Sequence, residues 1–88
     1  MSQTFFRSKV VAITGAGSGI GRALAQAVIA RGGHVALSDV SASTLAETVS
    51  LVEGEAKARD LRVTSRVVDV ADRAAVDSWA ADVAREHG

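Results

Sequence analysis

The sequence predicts an α/β fold, a parallel sheet with helices on both faces. Three short apolar, β-branched runs alternate with three longer stretches of helical periodicity. A cluster of four glycines stands where the first strand hands over to the first helix. The 88 residues contain no proline, so no helical stretch is interrupted by one. An order of strand, helix, strand, helix, strand, helix implies parallel pairing through right-handed crossovers.

The elements follow in order. Lys9 to Thr14 reads as a buried first strand: short, β-branched and followed at once by glycine. From Ile20 to about Arg31 the apolar positions Ile20, Leu24, Ala27 and Val28 have helical spacing on one inward face. Gly32 and Gly33 end that helix, because glycine accepts a left-handed cap conformation. His34 to Ser38 is the second strand. Thr44-Leu-Ala-Glu47 has the form of a capping box and is expected to open the second helix. Leu45, Val49, Val52 and Ala56 then face inward, and Gly54 weakens the helix by about 1 kcal/mol relative to alanine. Glu47, Glu53, Glu55, Lys57 and Arg59 read as a solvated face. Arg62 to Val70 is the third strand. Asp72 suits the N-cap of a third helix with Val76, Trp79, Ala80 and Val83 on one stripe, closed by His87 and Gly88. Residues 1–88 contain no linker or low-complexity stretch and read as the opening part of a single domain.

Composition excludes several classes. Hydrophobic residues make up 48% and charged residues 23%, an ordinary globular balance. Formal net charge is zero, which gives no footprint for nucleic acid or for a membrane surface. No cysteine is present, so disulfides, a thiolate nucleophile and zinc–thiolate sites are excluded, and no metal site is expected. Behind Arg7 and Lys9, the apolar run Val10 to Ile13 is too short for a signal-peptide core or a membrane span. A soluble, cytoplasmic protein is expected. His34 lacks any ligand partner in spacing and reads as structural or solvated.

The informative segment is Thr14-Gly-Ala-Gly-Ser-Gly-Ile-Gly21. A pyrophosphate at a strand-to-helix turn needs small residues, a sharp bend and outward backbone N–H groups, and the helix dipole adds favourable potential. Gly15, Gly17, Gly19 and Gly21 supply the room, and Gly21 lets the helix pack close to the first strand. The cluster follows a strand, opens a helix and has an acid at the end of the next strand. Those are the confirming conditions of a dinucleotide-binding fingerprint. Asp39, 18 residues after Gly21, can accept hydrogen bonds from the ribose hydroxyls. The same charge would repel a 2′-phosphate by roughly 3 kcal/mol per unit charge at about 5 Å in an effective dielectric near 20. A P-loop fits badly, because Arg22-Ala23 follows the last glycine. An S-adenosylmethionine loop also fits badly, because Thr14 stands where an acid usually ends the first strand.

The spacing Thr14-Gly15-x3-Gly19-x-Gly21 resembles the motif of the short-chain dehydrogenase/reductase family, residue for residue. The resemblance runs from about Lys9 to Gly88 and implies the first three βα units of a Rossmann-type, three-layer domain. It also implies that Asp69 accepts from the adenine amino group while the Val70 backbone N–H reaches the ring. NADP users of this family tend to carry a basic residue after the acid or before the second motif glycine. Here those positions are Val40 and Ser18, so NAD is expected over NADP. The expected cofactor-binding residues are Gly15, Gly17, Ser18, Gly19, Ile20, Gly21, Asp39, Val40, Asp69 and Val70.

In the family, catalysis is done by Ser and by Tyr-x-x-x-Lys beyond a fourth strand. This chain has no tyrosine, and no catalytic residue is assigned in it. The resemblance implies an oxidoreductase moving a hydride between NAD and an alcohol or ketone in the full-length protein, which is expected to be a homo-oligomer. The alternative is a non-catalytic nucleotide-binding or oligomerising module; an S-adenosylmethionine-binding domain is a weaker one. The isolated 88-residue chain is expected to be inactive, to bind cofactor weakly, and either to aggregate or to pair with another copy or with a missing remainder through an exposed first strand, since bare edges template association.

Overall fold

The computed structural model describes residues 9–87; Arg7 and the helix-ending Gly88 lie outside the described residues. The six elements occur in the expected order: β1 (Val10–Ile13), α1 (Gly19–Ala30), β2 (His34–Asp39), α2 (Ala42–Ala58), β3 (Val63–Val67) and α3 (Arg73–His87). The sheet order is β1-β2-β3, with both pairings parallel; Val10 lies opposite His34 and Val35 opposite Val63. This is a Rossmann-type α/β arrangement.

Central β2 shows why the sheet needs helices on both sides. Its side chains alternate between faces. Val35 and Leu37 pack with Ala25, Val28, Ile29, Leu45, Val52 and Ala56 of α1 and α2. Ala36, between them, packs with Val68 and Trp79 on the α3 side. The next residue on that side, Ser38, is buried, and its hydroxyl has no hydrogen-bond partner among the described residues.

The rotation of α1 differs from the expected one. Gly21, Ala25, Val28 and Ile29 are buried, whereas Ile20 is 87% and Leu24 42% exposed. A Cβ on Gly21 would lie 2.2 Å from the Gly15 carbonyl oxygen and 2.9 Å from the Ala16 Cα. Only a residue without a side chain can face the turn that closely, so Gly21 fixes which way the helix faces. Ile20 and Leu24, each one residue earlier than a buried position, are rotated outward by about 100°. The three nearest atoms belong to Gly15 and Ala16, in the turn that leaves β1. The C-terminal end is as expected. Gly32 has φ 84°, its N–H donates to the Ile29 carbonyl at 3.1 Å, and Gly33 N–H donates to Val28 at 2.9 Å. That pair of bonds is a Schellman cap.

α2 begins earlier than the capping-box reading places it. Ser41 is the N-cap, and Thr44 lies inside the first turn, donating its N–H to Ser41 Oγ at 3.4 Å. Glu47 does not cap; it accepts from Arg22 of α1 at 3.1 Å. The cause is Asp39, whose carboxylate accepts the Ser41 N–H at 2.9 Å and turns the chain immediately after β2. The buried face is Leu45, Thr48, Val52 and Ala56, with Val49 only partly covered. Gly54 sits in helix with nothing within 4 Å of an added Cβ. Gly54→Ala is therefore expected to raise stability by about 1 kcal/mol. Urea unfolding checks it, and an unchanged or lower midpoint counts against the expectation.

β3 is shorter than expected, because Asp69 turns the chain. Val68 N–H still donates to the Asp39 carbonyl at 3.0 Å, but Asp69 Oδ1 then accepts the Ala71 N–H at 2.9 Å, a local Asx bond. Asp72 caps α3 as expected, its Oδ1 accepting from Ala75 N–H at 3.1 Å. Trp79 is buried, with Ala75, Val76 and Val83 against it. Ala80 is exposed, because it lies one residue around from Trp79, off the inward stripe. His34 is structural: its Nδ1 accepts the Arg62 N–H at 2.9 Å and ties the start of β2 to that of β3. No helix among the described residues is long and apolar enough to cross a membrane.

Candidate functional site

The glycine segment forms the link from β1 to α1 at the C-terminal end of the parallel strands. Gly15 takes φ 63°, a left-handed conformation that admits glycine readily. Ala16 is fully buried and donates its N–H to the Ser38 carbonyl at 2.9 Å. A Cβ on Gly17 would fall 2.3 Å from Thr44 Oγ1, so α2 closes the turn from behind. Ser18 is the N-cap of α1: its Oγ donates to the Gly15 carbonyl at 2.7 Å and accepts the Gly21 N–H at 3.1 Å.

The outward side of the same turn is open. Gly19 and Ile20 are exposed, and a Cβ on Gly19 would meet nothing within 4 Å. The N–H groups of Gly19 and Ile20 have no acceptor among the described residues, because they belong to the first turn of α1 and Ser18 caps only Gly21. Two open donors at a helix N-terminus suit an anion.

Asp39 ends β2 beside this turn. Its Oδ2 accepts the Gly17 N–H at 2.8 Å, and its Oδ1 accepts the Ser41 N–H. The backbone N–H of Ser41, then that of Gly17, hold the carboxyl below the usual carboxylate range; partial burial opposes this and the Val40 N–H adds to it. A depressed pKa means that the charged form is favoured by folding. The resulting stability is present above the unfolded Asp value and is lost as pH falls through the lowered folded one. The Gly17 and Ser41 N–H groups take one position on each oxygen, and a carboxylate has about four. The remainder can face hydroxyl donors.

Val40 and Val70 are 67% and 65% exposed, at the same sheet end as the turn. Asp69 is also exposed there, one oxygen engaged by Ala71. Gly17 and Asp39 are thus in direct contact. Val40, Asp69 and Val70 make no hydrogen bond to the turn among the described residues.

Two residues behind the turn, Thr48 and Arg22, escaped the sequence reading in this role. Thr48 Oγ1, fully buried, donates to the Ala16 carbonyl at 2.7 Å, and Arg22 Nε donates to Thr48 Oγ1 at 3.0 Å. Arg22 also reaches the Thr44 carbonyl at 3.3 Å. The available signal was a threonine at i+3 from Leu45, a polar residue within an apolar stripe.

The sequence model of the family described as short chain dehydrogenase matches residues 9–88. The chain belongs to that family. Levodione reductase of Leifsonia aquatica is 42% identical over 77 residues, covering 86% of this chain and 28% of that protein. The crystal structure of a levodione reductase superposes with a TM-score of 0.85 at 37% identity, covering 94% of this chain and 31% of that one. A short-chain dehydrogenase/reductase from Burkholderia phymatum, solved in complex with NAD, gives a TM-score of 0.76 at 38% identity over 88% of this chain and 26% of that one. The NADPH-dependent 3-quinuclidinone reductase of Rhodotorula rubra gives 0.82 at 34% identity over 98% and 32%. The chain spans 14–32% of the lengths of the curated relatives it matches.

Proposed function

We propose that this segment is the NAD-binding part of a short-chain dehydrogenase/reductase that moves a hydride between NAD and an alcohol or ketone. The observation that carries the reading is the open Gly19–Ile20 amide pair at the start of α1, flanked by an Asp39 carboxylate already oriented by two backbone N–H groups. These residues fit a dinucleotide. The amides of Gly19 and Ile20 bind the pyrophosphate, Asp39 accepts from the ribose hydroxyls, Asp69 accepts from the adenine amino group, and the Val70 N–H reaches the ring. When bound, the nicotinamide supplies the hydride chemistry, and the chain supplies binding and orientation. No residue of this segment is assigned to proton transfer.

Solved relatives include both a complex with NAD and an NADPH-dependent reductase, so the family alone does not choose between the two cofactors. The preference for NAD rests on Asp39, Val40 and Ser18. Asp39→Ala with Val40→Arg in the intact protein is expected to shift the NAD/NADP affinity ratio by at least about 100-fold toward NADP, from loss of a repulsion of roughly 3 kcal/mol per unit charge. Both affinities also fall somewhat, because the same substitution releases Gly17 N–H. NADH and NADPH fluorescence titrations measure the ratio. Wild-type protein that binds NADP as tightly as NAD contradicts the reading of Asp39.

A further inference from the structure

The Ala16–Gly17 peptide is gripped from both sides. A trans peptide is planar, with its C=O and N–H pointing in opposite directions. The Ala16 carbonyl accepts from Thr48 Oγ1 at 2.7 Å, and the Gly17 N–H of the same plane donates to Asp39 Oδ2 at 2.8 Å. One hold comes from α2, the other from β2. The peptide therefore cannot rotate without breaking a bond, and it stands just ahead of the open Gly19 and Ile20 amides.

The proton of the Thr48 hydroxyl has a defined direction. A hydroxyl has one donor and two acceptor positions. Arg22 Nε takes an acceptor position at 3.0 Å. Among the described residues, the only other carbonyl that Thr48 Oγ1 reaches is that of Thr44, farther away at 3.4 Å and already accepting from Arg22 Nη2. The hydroxyl proton is thus directed at Ala16. Arg22 is itself held by Glu47 at 3.1 Å. Thr48 is completely buried, so no water replaces its bond if the hydroxyl is lost.

We propose that Thr48, oriented by Arg22, is a positioning residue for the cofactor: its buried hydroxyl fixes the Ala16–Gly17 peptide and so holds the turn amides in the geometry that a dinucleotide pyrophosphate needs. The assignment rests on the dinucleotide reading above. It adds to that reading a residue on α2, 27 positions beyond the end of the glycine motif at Gly21, that touches no cofactor.

The test uses the intact protein with Thr48→Val, Thr48→Ser and Arg22→Met. Dissociation constants for NADH and NADPH are measured well below the unfolding temperature of each variant. Amide hydrogen exchange over residues 15–21 is followed without cofactor. Thr48→Val is expected to weaken NADH binding about tenfold and to speed exchange in the turn, and Thr48→Ser to restore both to within about twofold. Arg22→Met, which keeps the threonine, is expected to weaken binding about threefold, and the double variant to bind no worse than Thr48→Val alone, because the two act through one bond. If Thr48→Val does not fold, Arg22→Met and Thr48→Ser still decide: wild-type affinity in Arg22→Met overturns the proposal. A folded Thr48→Val that binds NADH as wild type does, whatever its unfolding temperature, overturns it as well and leaves the functional reading standing. Wild-type protein that binds neither NADH nor NADPH overturns the functional reading and this assignment together.

Discussion

Gly21→Ala is expected to destabilise the protein by about 3 kcal/mol, the upper end of what overpacking usually costs. In most helices the same change gains about 1 kcal/mol, as at Gly54. Here the new methyl carbon would sit 2.2 Å from the Gly15 carbonyl oxygen, 2.9 Å from its carbon and 2.9 Å from Ala16 Cα. All three atoms are backbone. The Gly15 carbonyl cannot swing aside cheaply, because it accepts from Ser18 N–H at 3.0 Å and from Ser18 Oγ at 2.7 Å. Relief requires α1 to move away from the turn, which loosens Ala25, Val28 and Ile29 in the core. Urea unfolding of the intact protein measures the effect, and a midpoint equal to wild type shows that the contact is not as close as described.

Gly19→Val is expected to do the reverse: to leave stability within about 1 kcal/mol while lowering dinucleotide affinity by about 100-fold. Nothing lies within 4 Å of a Cβ at Gly19, so the fold meets no clash, and the residue is exposed. A branched side chain at the first helical position costs only a few tenths of a kcal/mol in propensity. It would, however, stand over the open Gly19 and Ile20 amides, where an anion must come within hydrogen-bond distance. NADH titration beside thermal unfolding separates the two effects. Unchanged affinity removes the turn from the cofactor site, and collapse of the fold contradicts the open space at Gly19. The glycines two residues apart in one motif thus serve different ends, one packing and the other access.

Much of this was legible in the sequence, for a local reason. The order of strands and helices follows from periodicity within each stretch. The Gly32–Gly33 cap, the Asp72 cap and the strand-to-helix placement of the glycine turn each depend on residues a few positions apart, which interact whatever the rest of the chain does. Asp39 could be located because a carboxylate at the end of a buried β2 must stand at the end of the sheet where the turn lies. The tertiary structure alone decided the rest. The rotation of α1 was set by Gly21 against Gly15, and not by the more apolar Ile20 and Leu24. The start of α2 was moved to Ser41 by the Asp39 carboxylate, which no capping pattern within Thr44 to Glu47 registers. That Asp39 also holds Gly17, across 22 residues, and that Thr48 reaches Ala16 across 32, are facts about which segments meet. A hydrogen bond needs its two atoms about 3 Å apart, and one sequence fixes such a distance only for near neighbours. For remote pairs it is fixed by how the helices pack on the sheet.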